Sequence, residues 1–141
     1  MKIDSFKNDY FFLSNFYEAE VTYDGYTYQS SEAAFQAQKC KNPKDREKFT
    51  HMTPSEAKKA GRSLDLRPDW EEVKYDIMHD IVLAKFREHS DLREKLLATY
   101  DAELEEGNTW GDCVWGTVEG VGDNYLGKIL MDVREGFRKE Q

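Results

Sequence analysis

The sequence has little of what metal centres and disulfide frameworks require. Its 141 residues include only two cysteines, Cys40 and Cys113, and three histidines, His51, His79 and His89. The cysteines form no Cys-x-x-Cys pair, and the histidines lack the clustered spacing of metal ligands. We therefore expect two reduced thiols and no metal site.

The chain also lacks a long apolar run and an excess of basic residues. No apolar segment of 18 residues occurs, and residues 1–4 do not begin an apolar signal segment, so we expect a cytoplasmic protein without membrane association. The net charge of −8 argues against a general nucleic-acid-binding surface, which needs a basic footprint. It remains compatible with one phosphate in a local basic pocket.

The composition and length predict one folded domain. Hydrophobic residues make up 39% of the chain and aromatic residues 13%, which is typical of a globular protein. A chain of 141 residues is long enough for one hydrophobic core and too short for two. We expect a single compact domain over residues 1–141, as a monomer or a weak dimer.

The stretch from residue 28 to residue 39 predicts a helix with a chemically mixed face. Ser30 or Ser31 suits the N-cap, because a hydroxyl oxygen accepts from a free backbone N–H. At about 100° per residue, one stripe of this helix carries Glu32, Phe35, Gln36 and Lys39. Two interpretations stay open: a catalytic stripe with an acid, an amide and an amine, or charges that only complement the helix dipole.

Residues 10–28 are aromatic and read as strands. The segments 19–23 and 26–28 flank Asp24–Gly25, a strong hairpin signal. Ser14–Asn15 interrupts the preceding apolar run and needs partners if it is buried. The pair is either a turn or part of a binding site.

Two short helices are predicted next, each beginning with proline. Pro43 follows the cap residue Asn42, and Pro54 follows the cap residue Thr53. These helices show no chemistry of their own. Beyond them, Arg62 and Arg67 are candidates to meet a phosphate.

The longest predicted helix runs from Trp70 to His89 with Asp69 as its cap. Lys74 and Lys85 project from within its apolar arc. Such lysines either extend their amines to water along apolar surface, or face a cleft and hold an anion. Trp70 either closes a pocket or anchors the core.

A short helix is predicted from Ser90 to about Tyr100, and a segment dense in tryptophan and glycine follows. Trp110, Asp112 and Trp115 fall within six residues, among glycines that let a ligand approach the backbone. Tryptophan offers a flat stacking surface and aspartate a carboxylate. A packing role explains the tryptophans and glycines but leaves Asp112 unexplained, so a functional role is favoured.

The last helix is predicted to begin near Asp123–Asn124. Gly127 lies in its first turn, where glycine costs about 1 kcal/mol against alanine, which favours close packing or ligand approach there. Arg134 flanks the apolar face of this helix. Gly120-Val121-Gly122 before it is a weak anion-site signal.

Five motifs in order resemble the YbiA-like family, also called NADAR. They are Phe12-Leu13-Ser14-Asn15-Phe16-Tyr17; Tyr28-x-Ser30-x-Glu32-x-x-Phe35-Gln36-x-x-Lys39; Trp70 with Met78 and Lys85-Phe86; Asp112-x-x-Trp115-Gly116; and Gly122-x-Asn124-x-Leu126-Gly127-x-x-Leu130-Met131-x-Val133-Arg134. Each motif alone is weak, whereas the ordered set is specific and spans nearly the whole chain. The resemblance implies a mainly α fold with a small β-hairpin portion, an α+β domain, in agreement with the element pattern.

The resemblance also implies hydrolysis of an N-glycosidic bond between a phosphorylated ribose and a nitrogenous base. One branch of the family acts on the phosphoribosylamino-pyrimidine intermediates of riboflavin biosynthesis, and another removes ADP-ribose from guanine. No metal or other cofactor is implied. The alternative from another class is a non-catalytic module that binds ADP-ribose or a nucleotide.

The motif positions imply the site residues. The catalytic candidates are Glu32, Lys39 and Asp112. The candidates for substrate binding are Asn15, Phe16, Gln36, Trp70, Lys85, Trp115, Gly116, Asn124 and Arg134. The family often reads Trp-Gly-x-Gly, whereas here Trp115–Gly116 is followed by Thr117-Val118-Glu119-Gly120, and the loop before Asp112 holds the extra Trp110. Both departures concern base recognition more than the reaction class.

Overall fold

The computed structural model describes residues 1–141 and has an α+β architecture. Its strands are β1 (Lys2–Ile3), β2 (Val21–Tyr23), β3 (Tyr26–Tyr28) and β4 (Glu103–Leu104), and its α-helices are α1 (Ser31–Ala37), α2 (Pro54–Arg62), α3 (Trp70–Glu88), α4 (Ser90–Leu97) and α5 (Tyr125–Lys139). Two 3₁₀ segments cover Asn8–Leu13 and Pro43–His51. None of the helices is both long and apolar enough to cross a membrane.

The backbone contacts group the chain into two compact units. One unit is residues 15–89, and the other joins residues 1–14 to residues 90–141. The first unit holds the β2–β3 hairpin, α1, α2 and α3. The second holds a two-stranded parallel pairing of β1 with β4, in which Lys2 lies opposite Glu103, together with α4 and α5.

The hairpin of the first unit forms at the predicted turn. Val21 pairs with Tyr28 and Tyr23 with Tyr26, in antiparallel register. Asp24 and Gly25 both have positive φ angles, 48° and 92°, as a two-residue type I′ turn requires. Val21 and Tyr28 are buried, so the hairpin contributes one face to the core of this unit.

Helix α1 is the buried centre of the first unit. Its N-cap is Ser30, whose hydroxyl accepts from the backbone N–H of Ala33 at 3.1 Å. The alanines Ala33, Ala34 and Ala37 are fully covered, which lets α1 contact α2, α3 and the segment Pro43–His51 closely. The helix ends at Ala37, so Lys39 lies in the turn that follows rather than in the last helical turn.

The proline-initiated segments form as predicted, with one difference in type. Asn42 caps Pro43–His51 by accepting from the N–H of Lys44, although this segment is 3₁₀ rather than α. Thr53 caps α2 in a reciprocal capping box with Glu56. Both caps satisfy backbone donors that the first turn leaves free.

The structure corrects two predicted details and adds one pairing. Asp69 precedes α3 but does not cap it, because its carboxylate is held by the Arg67 guanidinium at 2.7 Å. Asn8–Leu13 is a 3₁₀ helix, so the prediction that the aromatic region is strand-like from residue 10 was wrong at its start. The pairing of β1 with β4 was not predicted, since two-residue strands carry no alternation to read.

Candidate active site

Glu32 in the first turn of α1 has its carboxylate held in place by Gln36. The Nε2 of Gln36 donates to the Oε2 of Glu32 at 2.7 Å, one helical turn away. Gln36 is 7% exposed and its Oε1 has no hydrogen-bond partner, whereas Glu32 is only half-buried. The amide therefore orients a carboxylate that stays accessible.

Gly61 on α2 makes room for that amide. A Cβ at Gly61 would stand 1.9 Å from the Oε1 of Gln36 and 2.7 Å from its Cδ. No side chain larger than a hydrogen fits while Gln36 keeps its position. Glycine within a helix is otherwise unfavourable, so its presence here serves the placement of Gln36.

Asn15 joins the start of α1 to the long helix α3. Its backbone carbonyl accepts from the N–H of Glu32 at 3.0 Å, and its Oδ1 accepts from the Ser31 hydroxyl at 2.9 Å. Its Nδ2 lies 3.5 Å from the sulfur of Met78. Asn15 thus fixes the entry of the chain into α1 from a buried position, and its side chain is already engaged in this role.

Lys39 lies beside aromatic rings at the C-terminal side of α1. Its Nζ is 6.0 Å from the ring centroid of Phe35 and 5.9 Å from that of Trp70, and the two rings themselves lie 5.1 Å apart. Burial lowers the pKa of Lys39, while the negative charge of Glu32 acts in the opposite direction. A larger fraction of this amine is therefore neutral near pH 7 than for a lysine in water.

Other cations act on the same amine. Lys74 and Arg62 both lower the pKa of Lys39 through their positive charge, after the larger effect of burial. Lys74 in turn pairs with Glu71 at 2.5 Å. The result is a local cluster of positive charge next to Glu32 in a chain that is acidic overall, which suits an anionic group of a substrate.

Phe16 and Lys85 occupy other parts of the same unit. The Nζ of Lys58 lies 5.6 Å from the ring centroid of Phe16. Lys85 on α3 is 1% exposed, and its Nζ lies 5.6 Å from the ring of Tyr17 and 5.2 Å from that of Phe86. Burial lowers the pKa of Lys85 to about 7.

In the second unit, the carboxylate of Asp112 shapes its own loop. Its Oδ1 accepts from the backbone N–H groups of Val114 and Trp115, at 3.0 and 2.9 Å. Asn108 closes the loop by donating to the Asp112 carbonyl at 2.9 Å and accepting from its N–H at 3.0 Å. These bonds fix the backbone that presents Trp115, a half-buried ring packed edge-on against Tyr125 at 6.3 Å.

Gly116 and Asn124 hold this loop to β4. A Cβ at Gly116 would lie 2.1 Å from the Glu106 carbonyl oxygen, so only glycine fits. Asn124, at a φ of 53°, donates from Nδ2 to the Leu104 carbonyl at 2.9 Å and accepts from the Glu106 N–H at 3.0 Å. Both residues are engaged in packing or backbone hydrogen bonds within this unit.

Arg134 is likewise engaged within its own unit. It is 5% exposed and donates from Nη1 to the Thr99 hydroxyl at 2.8 Å, while its Nε has no partner. Burial lowers the pKa of its guanidinium.

The structure thus collects some of the predicted residues and adds others. Within residues 15–89 it brings Glu32 and Gln36 of α1 near Lys39 in the turn that follows, and Lys39 near Trp70 at the start of α3. Gly61 and Lys58 were missed, because α2 showed only its caps and a solvated face in the sequence. A glycine inside a helix was the one signal that pointed to Gly61.

Comparisons with known proteins show what the chain is similar to. The model of the NADAR domain family matches residues 3–138. The N-glycosidase YbiA of Escherichia coli is 42% identical over 141 residues, covering 97% of this chain and 88% of the relative. A riboflavin biosynthesis protein of Vibrio vulnificus is 38% identical over 132 residues, covering 91% of this chain and 36% of that longer protein.

A solved structure also matches the fold of this chain. The NMR structure of E. coli YbiA matches with a TM-score of 0.86 and 40% identity, covering 99% of this chain and 85% of that one. The match therefore extends over nearly the whole chain. The chain belongs to the NADAR domain family.

Proposed function

We propose that the substrate of this N-glycosidase is a ribose 5-phosphate joined through C1 to the amine of a pyrimidine, as in the intermediates of riboflavin biosynthesis. The observation that carries the proposal is the placement of Glu32, held by Gln36 at 2.7 Å, within electrostatic range of the partly buried amine of Lys39. The name of the Vibrio relative supports the pathway. The net charge of −8 favours a small substrate over one within a nucleic acid.

The reaction balances as a hydrolysis with one water consumed. The bond between C1 and the base nitrogen breaks, the nitrogen leaves as an amine after taking a proton, and the oxygen of water ends on C1. Positive charge develops on the ribose as the bond breaks, and the Glu32 carboxylate stabilises it or deprotonates the attacking water. Asp112 is the second carboxylate that we assign to this proton transfer, on its motif position.

Lys39 offers a covalent route for the same reaction. The ring oxygen takes a proton as its bond to C1 breaks, which leaves C1 doubly bonded to the base nitrogen. The neutral Lys39 amine then adds to C1, and the base nitrogen takes a proton and departs as an amine, which leaves an imine between C1 and Nζ. Water then hydrolyses the imine and returns the amine. Glu32 lies close enough to influence the Lys39 charge, which places a proton acceptor beside the amine throughout.

The remaining groups recognise the ends of the substrate. The cations Arg62 and Lys74 near Lys39 attract the 5-phosphate, and the ring of Trp70 covers the sugar. Trp115 and Phe16 are assigned to stack on the base, since aromatic stacking accepts any planar ring. Asn15, Lys85, Asn124 and Arg134 are retained as binding candidates on their motif positions alone.

A release assay tests the proposal. Purified protein is incubated with the phosphoribosylamino-pyrimidine and, in parallel, with ADP-ribosylated guanosine, and free base and sugar phosphate are separated by chromatography. We expect ribose 5-phosphate and free pyrimidine in equal amounts, and a lower kcat/KM for the ADP-ribosyl compound. A preference for the guanosine adduct would reverse the substrate assignment, and stoichiometric binding without release would identify a binding module instead.

A further inference from the structure

We propose that Lys74 on α3 is a positioning residue for Lys39, a fixed cation that keeps the Lys39 amine nucleophilic. The inference rests on the proposed function, in which that amine adds to C1. It gives Lys74 a role that attraction of the substrate phosphate does not require. The role follows from where α3 places Lys74, from what fixes it there, and from the other charges around Lys39.

Helix α3 brings Lys74 to the side of the Lys39 amine through Trp70. The Nζ of Lys39 lies 5.9 Å from the ring centroid of Trp70, which is the first residue of α3. Lys74 follows Trp70 by four positions, and residues with this spacing are neighbours on one face of a helix. The Lys39 amine and the Lys74 ammonium therefore approach the same face of α3, within range of each other's charge.

The Lys74 ammonium is fixed and covered, unlike that of an ordinary surface lysine. Its side chain is only 14% exposed, and its Nζ lies 2.5 Å from the Oε2 of Glu71 and 5.2 Å from the ring centroid of Tyr75. The hydrogen bond to Glu71 raises the pKa of Lys74, whereas the pKa of Lys39 is lowered. Lys74 therefore keeps its charge at a pH where the Lys39 amine loses its proton.

Among the cations around Lys39, Lys74 is the best placed to act on its amine. Burial has the largest effect and lowers the pKa of Lys39; Glu32 on α1 raises it, and Lys74 on α3 and Arg62 on α2 lower it. Arg62 is exposed, so solvent screens its charge more than that of the covered Lys74. The N–H of Arg67 binds the Lys39 carbonyl, but its guanidinium is neutralised by an aspartate carboxylate at 2.7 Å.

Two neighbouring lysines destabilise a fold but favour chemistry at one of them. Their ammonium groups repel each other, and removing either from water costs further free energy. The same arrangement activates an amine, because a desolvated lysine beside another cation loses its proton more readily and can then attack carbon. The covered position of Lys74 next to Lys39 therefore suits catalysis better than it suits stability.

A titration of the free protein tests this role without substrate. The side-chain amines of isotope-labelled lysines are followed by NMR as the pH rises, and the Lys39 signal is identified by its loss in Lys39→Arg. In Lys74→Met, the Lys39 amine should lose its proton at a higher pH than in the wild type. Lys74→Arg keeps the cation and should leave Lys39 titrating as in the wild type. Lys59→Met is the matched control, because it removes an exposed charge from α2 and should not move the Lys39 titration.

The pH profile of the release assay separates this role from phosphate attraction. In Lys74→Met, kcat/KM at pH 7 should fall several-fold and recover toward the wild-type value as the pH rises, and Lys74→Arg should restore the wild-type profile. If Lys74 only attracts the phosphate, KM should instead rise at every pH while the Lys39 titration stays in place.

An unchanged Lys39 titration in Lys74→Met, or an equal change in Lys59→Met, would overturn the proposal. A Lys74→Arg protein in which Lys39 titrates as in Lys74→Met would overturn it as well, since the charge would then not be what acts. A shifted titration in Lys74→Met, restored in Lys74→Arg, supports the proposal even if no base is released, and the missing release would then count against the proposed substrate alone.

Discussion

Gln36 holds the Glu32 carboxylate at 2.7 Å, and Gly61 leaves the space in which the Gln36 amide lies. The position of Glu32 on α1 therefore depends on the lack of a side chain at Gly61 on α2. Alanine at position 61 would put a Cβ 1.9 Å from the Gln36 oxygen, so the amide must move. Any such movement disturbs the hydrogen bond through which Gln36 holds the carboxylate.

Gly61→Ala should therefore lower kcat by up to about 100-fold, because misplacing a catalytic group by about 1 Å has effects of that order. KM should change less than kcat, because Gly61 acts through Gln36, whose amide the structure engages with Glu32. Steady-state kinetics of the variant provide the measurement.

Gly136→Ala on α5 is the control for Gly61→Ala. A Cβ there meets nothing within 4 Å, and in both helices alanine is the better helix former by about 1 kcal/mol. The control should melt at or above the wild-type temperature with unchanged kcat. A Gly61→Ala enzyme with wild-type kcat would mean that the position of Gln36 does not govern Glu32.

Lys39→Arg distinguishes a covalent from an electrostatic role of Lys39. Arginine keeps the charge but stays protonated and cannot attack C1, so kcat should fall as far as in Lys39→Ala. Borohydride added during turnover should trap a sugar adduct on Lys39, located by mass mapping of peptides. Lys41→Arg, an exposed change two residues away, should keep full activity and the adduct.

If Lys39→Arg keeps much of the activity and no adduct is trapped, covalent catalysis by Lys39 is excluded. Lys39 would then act by its charge on the phosphate or on Glu32. Glu32→Gln should still be inactive in that case, because both routes need its carboxylate.

Much of the first unit was predictable because its signals are local. Ser30, Thr53 and Asn42 cap where the sequence predicts, and Asp24–Gly25 makes the predicted turn. Each of these features depends on a few neighbouring residues and on backbone angles that only certain residues adopt.

The features that sequence reasoning missed depend on residues far apart in the chain. The Gln36 amide fits against Gly61 across 25 positions, and Arg67 takes the Asp69 carboxylate away from its cap role. Periodicity places Gln36 and Lys39 on one stripe of α1, but the helix ends at Ala37 before it reaches Lys39. Packing between helices decides these points, and a single sequence does not encode it in a readable pattern.

Trp115→Ala should raise KM and leave the fold cooperative if the ring stacks on the base. A stack contributes roughly 1–3 kcal/mol, which corresponds to a KM increase of about 5- to 150-fold. The structure gives Trp115 a second contact, the edge-on packing against Tyr125 at 6.3 Å. Kinetics and thermal melting of the variant should be measured together.

Trp110→Ala is the matched change for Trp115→Ala, since Trp110 is 58% exposed in the same loop. It should leave the melting temperature nearly unchanged, and its KM reports whether the extra tryptophan takes part in base recognition. If Trp115→Ala instead lowers stability by about 3–5 kcal/mol with KM unaltered, its role is packing.

Chelators should leave the hydrolysis unaffected. No group of three or more histidine, cysteine, aspartate or glutamate side chains is arranged to hold a metal ion. The release assay in excess EDTA should therefore match the untreated enzyme. Loss of activity that magnesium restores would point to an ion carried by carboxylates and the substrate phosphate.

Lys85 predicts an unusual dependence of stability on pH. Burial lowers its pKa to about 7 in the folded chain from the ordinary 10.5. Between these values the unfolded chain binds the extra proton, so the free energy of unfolding should rise with pH, by at most about 1.4 kcal/mol per pH unit from this residue. Below pH 7 both states are protonated, and the full penalty of burying the charge persists.

Lys85→Met should remove that rise, because methionine fills similar volume without a titrating group. Relative to wild type, the variant should gain most at pH 6, and the gain should shrink as pH increases from about 7 toward 10. Urea unfolding at several pH values measures it, with the exposed Lys59→Met as a control that keeps the wild-type slope. An identical slope in Lys85→Met would contradict the prediction, because it would show that folding does not lower the pKa of this amine.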